Sequence, residues 1–213
     1  MDEARDVAAP VPPGMSTGRI EAFSDGVFAV AITLLALDLP RPEPGHGSLA
    51  HELVQGWPQY LAFVVSFFTV GIIWVNHHAQ FAVIKHADRT LLFLNLTLLL
   101  FVTVLPVTTS VAASYLRDGG DEARLAVALY ALSLEVMSLS FYCVWRHAGR
   151  AGLIVASLSP QMLRCRTRRN MVGHVVYLVA AVLALLSPFA ALALCGAVAV
   201  YYVHPGARGA PED

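Results

Sequence analysis

The chain has 213 residues, 57% of them hydrophobic and 14% charged, with a formal net charge of −1 and a mean hydropathy of +0.62. Soluble domains carry about a quarter charged residues and just under half apolar ones, so this balance excludes an ordinary soluble domain and describes an integral membrane protein. A charge near zero gives no reason to expect a nucleic-acid partner, and three scattered cysteines, Cys143, Cys165 and Cys195, suit reduced structural thiols better than a disulfide or metal framework.

Residues 1–16 are acidic and Pro-rich rather than basic and then apolar, so they read as a disordered tail and not a cleavable signal. The expected domain runs over 17–204 and is all-α, a polytopic membrane protein of six helices, with a second tail over 205–213. The first apolar segment covers about 20–39 and stops at Pro40-Arg-Pro-Glu-Pro44, which cannot continue a helix. The second covers roughly 57–76. The third, about 90–113, contains Pro106, a kink that neighbouring helices must repair. The fourth, about 122–145, follows the Gly119-Gly120-Asp121 turn. The fifth and sixth, about 171–186 and 189–203, are split at Ser187-Pro188, a good helix-start pair. Each is short against the roughly 20 residues a span needs, and together they read as a tight hairpin. No segment repeats another at a fixed period.

Orientation follows from the basic residues. With the N-terminus inside, eleven of the fourteen Lys and Arg residues fall in cytoplasmic pieces, and only Arg41, Arg117 and Arg124 fall outside. Six spans place both termini in the cytoplasm of a multi-pass cell-membrane protein. If segments five and six formed one span, the C-terminus would lie outside.

The first segment opens with Arg19, Phe23, Ser24 and Asp25 in its first turns. An acid within a span is a functional-site hypothesis by default, because it must face protein or water. Asp25 lies about 100° round the helix from Ser24, so the two address neighbouring helices. Val30, Leu34 and Leu37 share one side, with Thr33 beside them, a stripe that suits lipid contact or packing when taken alone. The second segment ends Trp74-Val-Asn76-His77-His78. Adjacent histidines point about 100° apart and no further ligand follows at metal spacing, so no metal site is expected. Instead Trp74 and one histidine are expected to hydrogen-bond the first helix near Ser24 and Asp25. Asn95 is an amide in the apolar third segment, of the kind that bridges helices. Glu135 sits mid-span and must be neutral, paired or water-facing. The run Arg164-Cys-Arg-Thr-Arg168-Arg169 suits a topology anchor near anionic lipid.

Several chemistries have no footing here. The sequence has no Gly-rich phosphate loop, no Gly-x-Ser-x-Gly elbow, no His-Glu-x-x-His and no Thr-Val-Gly-Tyr-Gly carbonyl filter. Its polar groups are too dispersed to nominate a nucleophile with its base, so no enzyme activity and no cofactor is expected.

Arg19-x-x-x-Phe23-Ser24-Asp25 opening a first span resembles the signature of the transmembrane protein 175 family of potassium channels. Trp74-x-x-His77-His78 on the second span and Asn95 on the third are similar to that family too, and the resemblance covers roughly 17–204. It implies a channel domain whose first helices line a central pore without a carbonyl filter. It also implies, for a chain with one six-span unit, a homotetramer in the lipid bilayer. By position, the resemblance places Val30 at a branched apolar constriction and Thr33 at a pore-facing threonine, with Leu34 and Leu37 continuing the stripe. Valine is smaller than the family's more usual isoleucine or leucine at that ring. Arg19, Phe23, Ser24, Asp25, Trp74, His77 and Asn95 would be the bracket holding the pore helix, and potassium the permeant ion. Apolar rings gate by dewetting, and a narrow, weakly polar pore favours potassium because it sheds water more cheaply than sodium. The alternative is a proton-coupled secondary transporter using Asp25, Glu135 and histidines, although transporters usually show repeats or broken helices.

Overall fold

A computed structural model of the protein describes residues 16–42, 48–156 and 158–203. Apart from Ser16, the tails expected at 1–16 and 205–213 lie outside the described residues, as does Pro44 of the expected helix stop. The described residues are helical apart from turns, short connecting loops and one isolated bridge between two of those loops. The helices are α1 (Thr17–Leu34), α2 (Leu49–Gln55), α3 (Trp57–Phe81), α4 (Arg89–Leu116), α5 (Gly120–Arg150), α6 (Pro160–Ala184) and α7 (Pro188–Val203).

Local chemistry sets most boundaries. After Leu34, α1 tightens into a 3-10 turn over Leu35–Asp38 and ends before Pro40, whose fixed φ and missing N–H end helical bonding. The Tyr60 hydroxyl donates to the Pro40 carbonyl at 3.4 Å, tying this end to α3. The short α2 is an addition to the six expected segments, N-capped by Ser48 through its bond from the His51 N–H. The Asp88 carboxylate accepts from the Leu91 N–H at 2.7 Å and caps α4, which continues as one helix through Pro106. Gly119 and Gly120 both take φ +69°, a left-handed region open to glycine at little cost, and so turn α4 into α5.

Among the described residues four helices are long and apolar enough to cross a membrane: Thr17–Asp38, Trp57–Phe81, Arg89–Leu116 and Gly120–Arg150. The molecule is an integral membrane protein. Of the last two helices, α7 falls on the expected sixth segment and α6 reaches beyond the expected fifth. α6 begins at Pro160, not near 171, because Ser159 caps it by accepting from the Met162 N–H and Pro160 suits the first helical turn. The arginine run therefore lies on a helix. α7 is apolar but has only 16 residues. The two helices pack as a hairpin across the turn at 185–187.

The main core joins Phe28, Ala31 and Leu35 of α1 to Val70, Leu98, Leu134 and Tyr177 of the other helices. A second cluster, with Ile20, Phe81, Ile84, Leu91 and Val144, closes the end of the bundle where α1 begins. There the α3–α4 and α5–α6 loops pair through an antiparallel bridge, Lys85 N–H to Leu153 carbonyl at 2.8 Å and Val155 N–H to Val83 carbonyl at 2.9 Å. This end also carries Lys85, Arg89, Arg146, Arg150 and the arginines of α6, and is called the basic end below. α1 lies at the edge of the bundle, packed on α3 and α4.

Candidate functional site

The apolar and polar residues of α1 sort onto distinct faces. Ile20, Ser24, Phe28, Ala31 and Leu35 are buried at i, i+4, i+8, i+11 and i+15, one face of a helix. Val30 is 55% exposed, Leu34 38% and Leu37 61%, and Thr33 is exposed beside them. Val30 and Leu34 sit roughly 80–120° round from the buried face. Asp25 sits on the other flank, roughly 100° from Ser24 in the opposite sense.

The buried face is held by a polar relay. His77 Nε2 of α3 donates to Asn95 Oδ1 of α4 at 2.9 Å, and Asn95 Nδ2 donates to Ser24 Oγ of α1 at 3.0 Å. All three residues are buried, and unpaired polar groups inside a membrane bundle have no water to turn to. The Phe28 ring meets the His77 ring edge-on at 5.4 Å, and the Phe81 ring stacks on His77 at 4.4 Å. On the flank, Trp74 Nε1 donates to Asp25 Oδ1 at 2.7 Å. His78 Nδ1 lies 4.0 Å from Glu21 Oε2.

The structure thus brings Ser24, Asp25, Trp74, His77 and Asn95 together where α1, α3 and α4 meet. The expected histidine contact with α1 runs through Asn95, because the imidazole reaches the amide and the amide reaches the hydroxyl. Arg19 and Phe23 stay exposed on the outer turns of α1. Thr33 Oγ1 donates its hydrogen to the Val30 carbonyl at 2.8 Å, leaving the oxygen's lone pairs as acceptors. Among the described residues no group of three or more His, Cys, Asp or Glu could hold a metal ion. The three cysteines are free.

Three residues outside this site, Glu135, Arg166 and Arg169, have partners that sequence patterning did not reveal. Glu135 of α5 is buried and pairs with His174 of α6. Arg166 and Arg169 of α6 turn inward onto α3, whereas Arg164 and Arg168 are exposed. A helical reading of the run from Pro160 would have separated the inward from the outward arginines.

Comparison with known proteins adds four findings. A family model described as endosomal/lysosomal potassium channel TMEM175 matches residues 19–106, which include α1, α3 and the first part of α4. The chain is similar to a potassium channel of Streptomyces collinus, 43% identical over 87% of this chain and 91% of that protein. The endosomal/lysosomal proton channel TMEM175 of Gallus gallus is 34% identical over 63% of this chain and 28% of its own length. A crystal structure of a lysosomal potassium-selective channel TMEM175 homologue from Chamaesiphon minutus superposes with a TM-score of 0.79. It is 35% identical and covers 88% of this chain and 96% of its own.

Proposed function

The chain belongs to the TMEM175 family, and on that premise we propose that it is a potassium-selective cation channel whose pore is lined by α1. The observation that carries this reading is the division of α1. One face is buried and bonded to α3 and α4, while an apolar stripe with a single hydroxyl, Val30, Thr33, Leu34 and Leu37, is left uncovered by its own subunit. The names of the bacterial relatives support potassium as the ion.

In this reading four copies assemble about an axis facing the stripe, so that each stripe residue forms a ring. Val30, Leu34 and Leu37 make apolar constrictions that empty of water when narrow. Thr33 offers oxygen lone pairs to an ion that has shed part of its shell. Potassium releases water at lower cost than sodium, so it passes more readily. α6 and α7 complete a six-span subunit with both termini on the basic, cytoplasmic side of the cell membrane. Ser24, Asp25, Trp74, His77 and Asn95 hold the pore helix at that side, with Arg19 and Phe23 on its outer turns.

A second reading, proton-coupled transport, draws on the proton-channel name of the animal relative and on Asp25 and Glu135. Their placement argues against a shared relay. Asp25 bonds α3 on the flank away from the stripe, whereas Glu135 faces α6. Reversal potential in liposomes, with potassium on one side and sodium on the other, tests both. A shift toward the potassium potential without a proton gradient supports the channel. Flux only under a pH gradient supports the transporter.

A further inference from the structure

Arg166 and Arg169 reach from α6 onto α3. Arg166 Nη1 donates to the Ala79 carbonyl at 3.1 Å. Ala79 lies in the last turn of α3, where carbonyls lack helical partners. The neighbouring carbonyls of His78, Gln80 and Phe81 accept from Ala82, Val83 and Ile84, and Arg166 takes Ala79. A guanidinium is well suited to this end of a helix dipole. Arg169 Nη2 hydrogen-bonds Asn76 Oδ1, while Asn76 Nδ2 is spent on the Ile72 carbonyl at 2.9 Å. That second bond fixes the amide so that its oxygen meets Arg169. Both arginines are themselves braced. Arg166 lies over the Trp145 ring at 5.9 Å and Arg169 over the Tyr202 ring at 5.5 Å. The Trp145 indole in turn donates to Thr167 at 2.8 Å.

Asn76 and Ala79 lie roughly 160° round α3 from Trp74 and His77. The last two turns of α3 are therefore held from both sides, by α1 and α4 on one and by α6 on the other. We propose that Arg166 and Arg169 are positioning residues of the pore: they fix the rotation of α3, and through Trp74 and His77 they set where α1 presents its stripe. The arginine run thus divides by face, with Arg166 and Arg169 clasping α3 and Arg164 and Arg168 left free of that duty. This assignment rests on the pore reading of α1, but the clasp itself is a statement about α3.

The test uses full-length protein in liposomes under a potassium gradient, with hydrogen exchange of residues 19–28 measured on the same preparations. Arg166→Ala, Arg169→Ala and Asn76→Ala are expected to speed exchange in 19–28. They are also expected to change open probability roughly two- to thirtyfold, the range of coupling through packed elements. Arg164→Ala and Arg168→Ala are expected to leave both unchanged. The Arg169→Ala/Asn76→Ala double variant is expected to match the single variants. Additive effects, or equal responses from the inward and outward arginines, would overturn the clasp. If Arg169→Ala fails to assemble, Asn76→Ala decides alone, since it leaves the arginine in place and removes its acceptor, together with one bond inside α3 to the Ile72 carbonyl. If wild-type protein carries no potassium current, the pore reading fails, and the exchange comparison still decides the clasp.

Discussion

Trp74 and Asp25 join α3 to α1 through one hydrogen bond, indole Nε1 to carboxylate Oδ1 at 2.7 Å. The bond lies on the flank of α1 away from Val30 and Leu34, so the acid at the start of the helix is turned from the apolar stripe. A carboxylate placed this way anchors the helix. Asp25→Ala is therefore expected to lower the yield of assembled protein more than it alters ion preference. Size-exclusion yield and reversal potential, measured on one preparation, check this. Normal yield with altered preference would reassign Asp25 to the pore.

Asn95 is the hinge of the buried relay, bonded to His77 on one side and Ser24 on the other. Asn95→Leu strands both partners without water. Leaving a buried polar group unsatisfied costs about 1–3 kcal/mol, although partners found in the unfolded membrane state reduce this. A loss of about 1–3 kcal/mol is expected, read as a lower thermal-unfolding midpoint in detergent. Asn95→Gln is expected to recover only part of it, because the longer amide cannot keep both bonds.

For the stripe, Val30→Ala widens the proposed ring and Thr33→Val removes the lone pairs that Thr33 keeps while bonding Val30. Val30→Ala is expected to raise current and reduce the preference for potassium over sodium. Thr33→Val is expected to reduce potassium current. Unchanged current and selectivity in both variants would return the stripe to lipid contact.

At the basic end, His147 Nε2 donates to both Asp88 oxygens at 2.9 and 2.7 Å. Burial pushes the Asp88 carboxyl up, but the Leu91 N–H and the His147 bond outweigh it and hold the group below its usual range. A carboxyl depressed in the folded state stabilises above its unfolded value, about 3.9, and that stabilisation is lost as pH falls through the folded value. Thermal stability is therefore expected to decline below about pH 4. Asp88→Asn, which keeps a side-chain acceptor for the cap, is expected to flatten that slope. An unchanged slope would assign the acid sensitivity to another group.

The Glu135–His174 pair joins a buried carboxyl to a half-buried imidazole, and is expected to be costly to break from one side and cheap to replace whole, because removing one partner strands the other. Glu135→Leu and His174→Leu should each lower the unfolding midpoint, and the double variant should be no worse than either alone. A double variant worse by the sum of the two would show that the residues act separately.

The spans of α1, α3, α4 and α5 were legible in the chain because each is a long apolar run closed by a proline, a glycine pair or a capping acid. The start of α6 was not. Hydropathy averages Arg164 to Arg169 into a polar stretch and hides the helix, although Ser159-Pro160 carries the same start signal that was recognised at Ser187-Pro188. The members of the bracket were legible one by one, as Ser24, Asp25, Trp74, His77 and Asn95. The order of the relay was not, because neither spacing nor periodicity says that His77 reaches Asn95 rather than Ser24.

The sequence alone determined that this is a membrane protein, which way its basic residues bias it, and that an acid and a hydroxyl open its first span on different faces. These are properties of composition and of a helix's own period. The tertiary structure decided who meets whom: Trp74 with Asp25, Asn95 between His77 and Ser24, His174 with Glu135, and Arg166 and Arg169 on the back of α3. Periodicity tells which side of a helix is buried but not what lies across from it, since partners distant in the chain are chosen by packing and by the need to satisfy every polar group away from water.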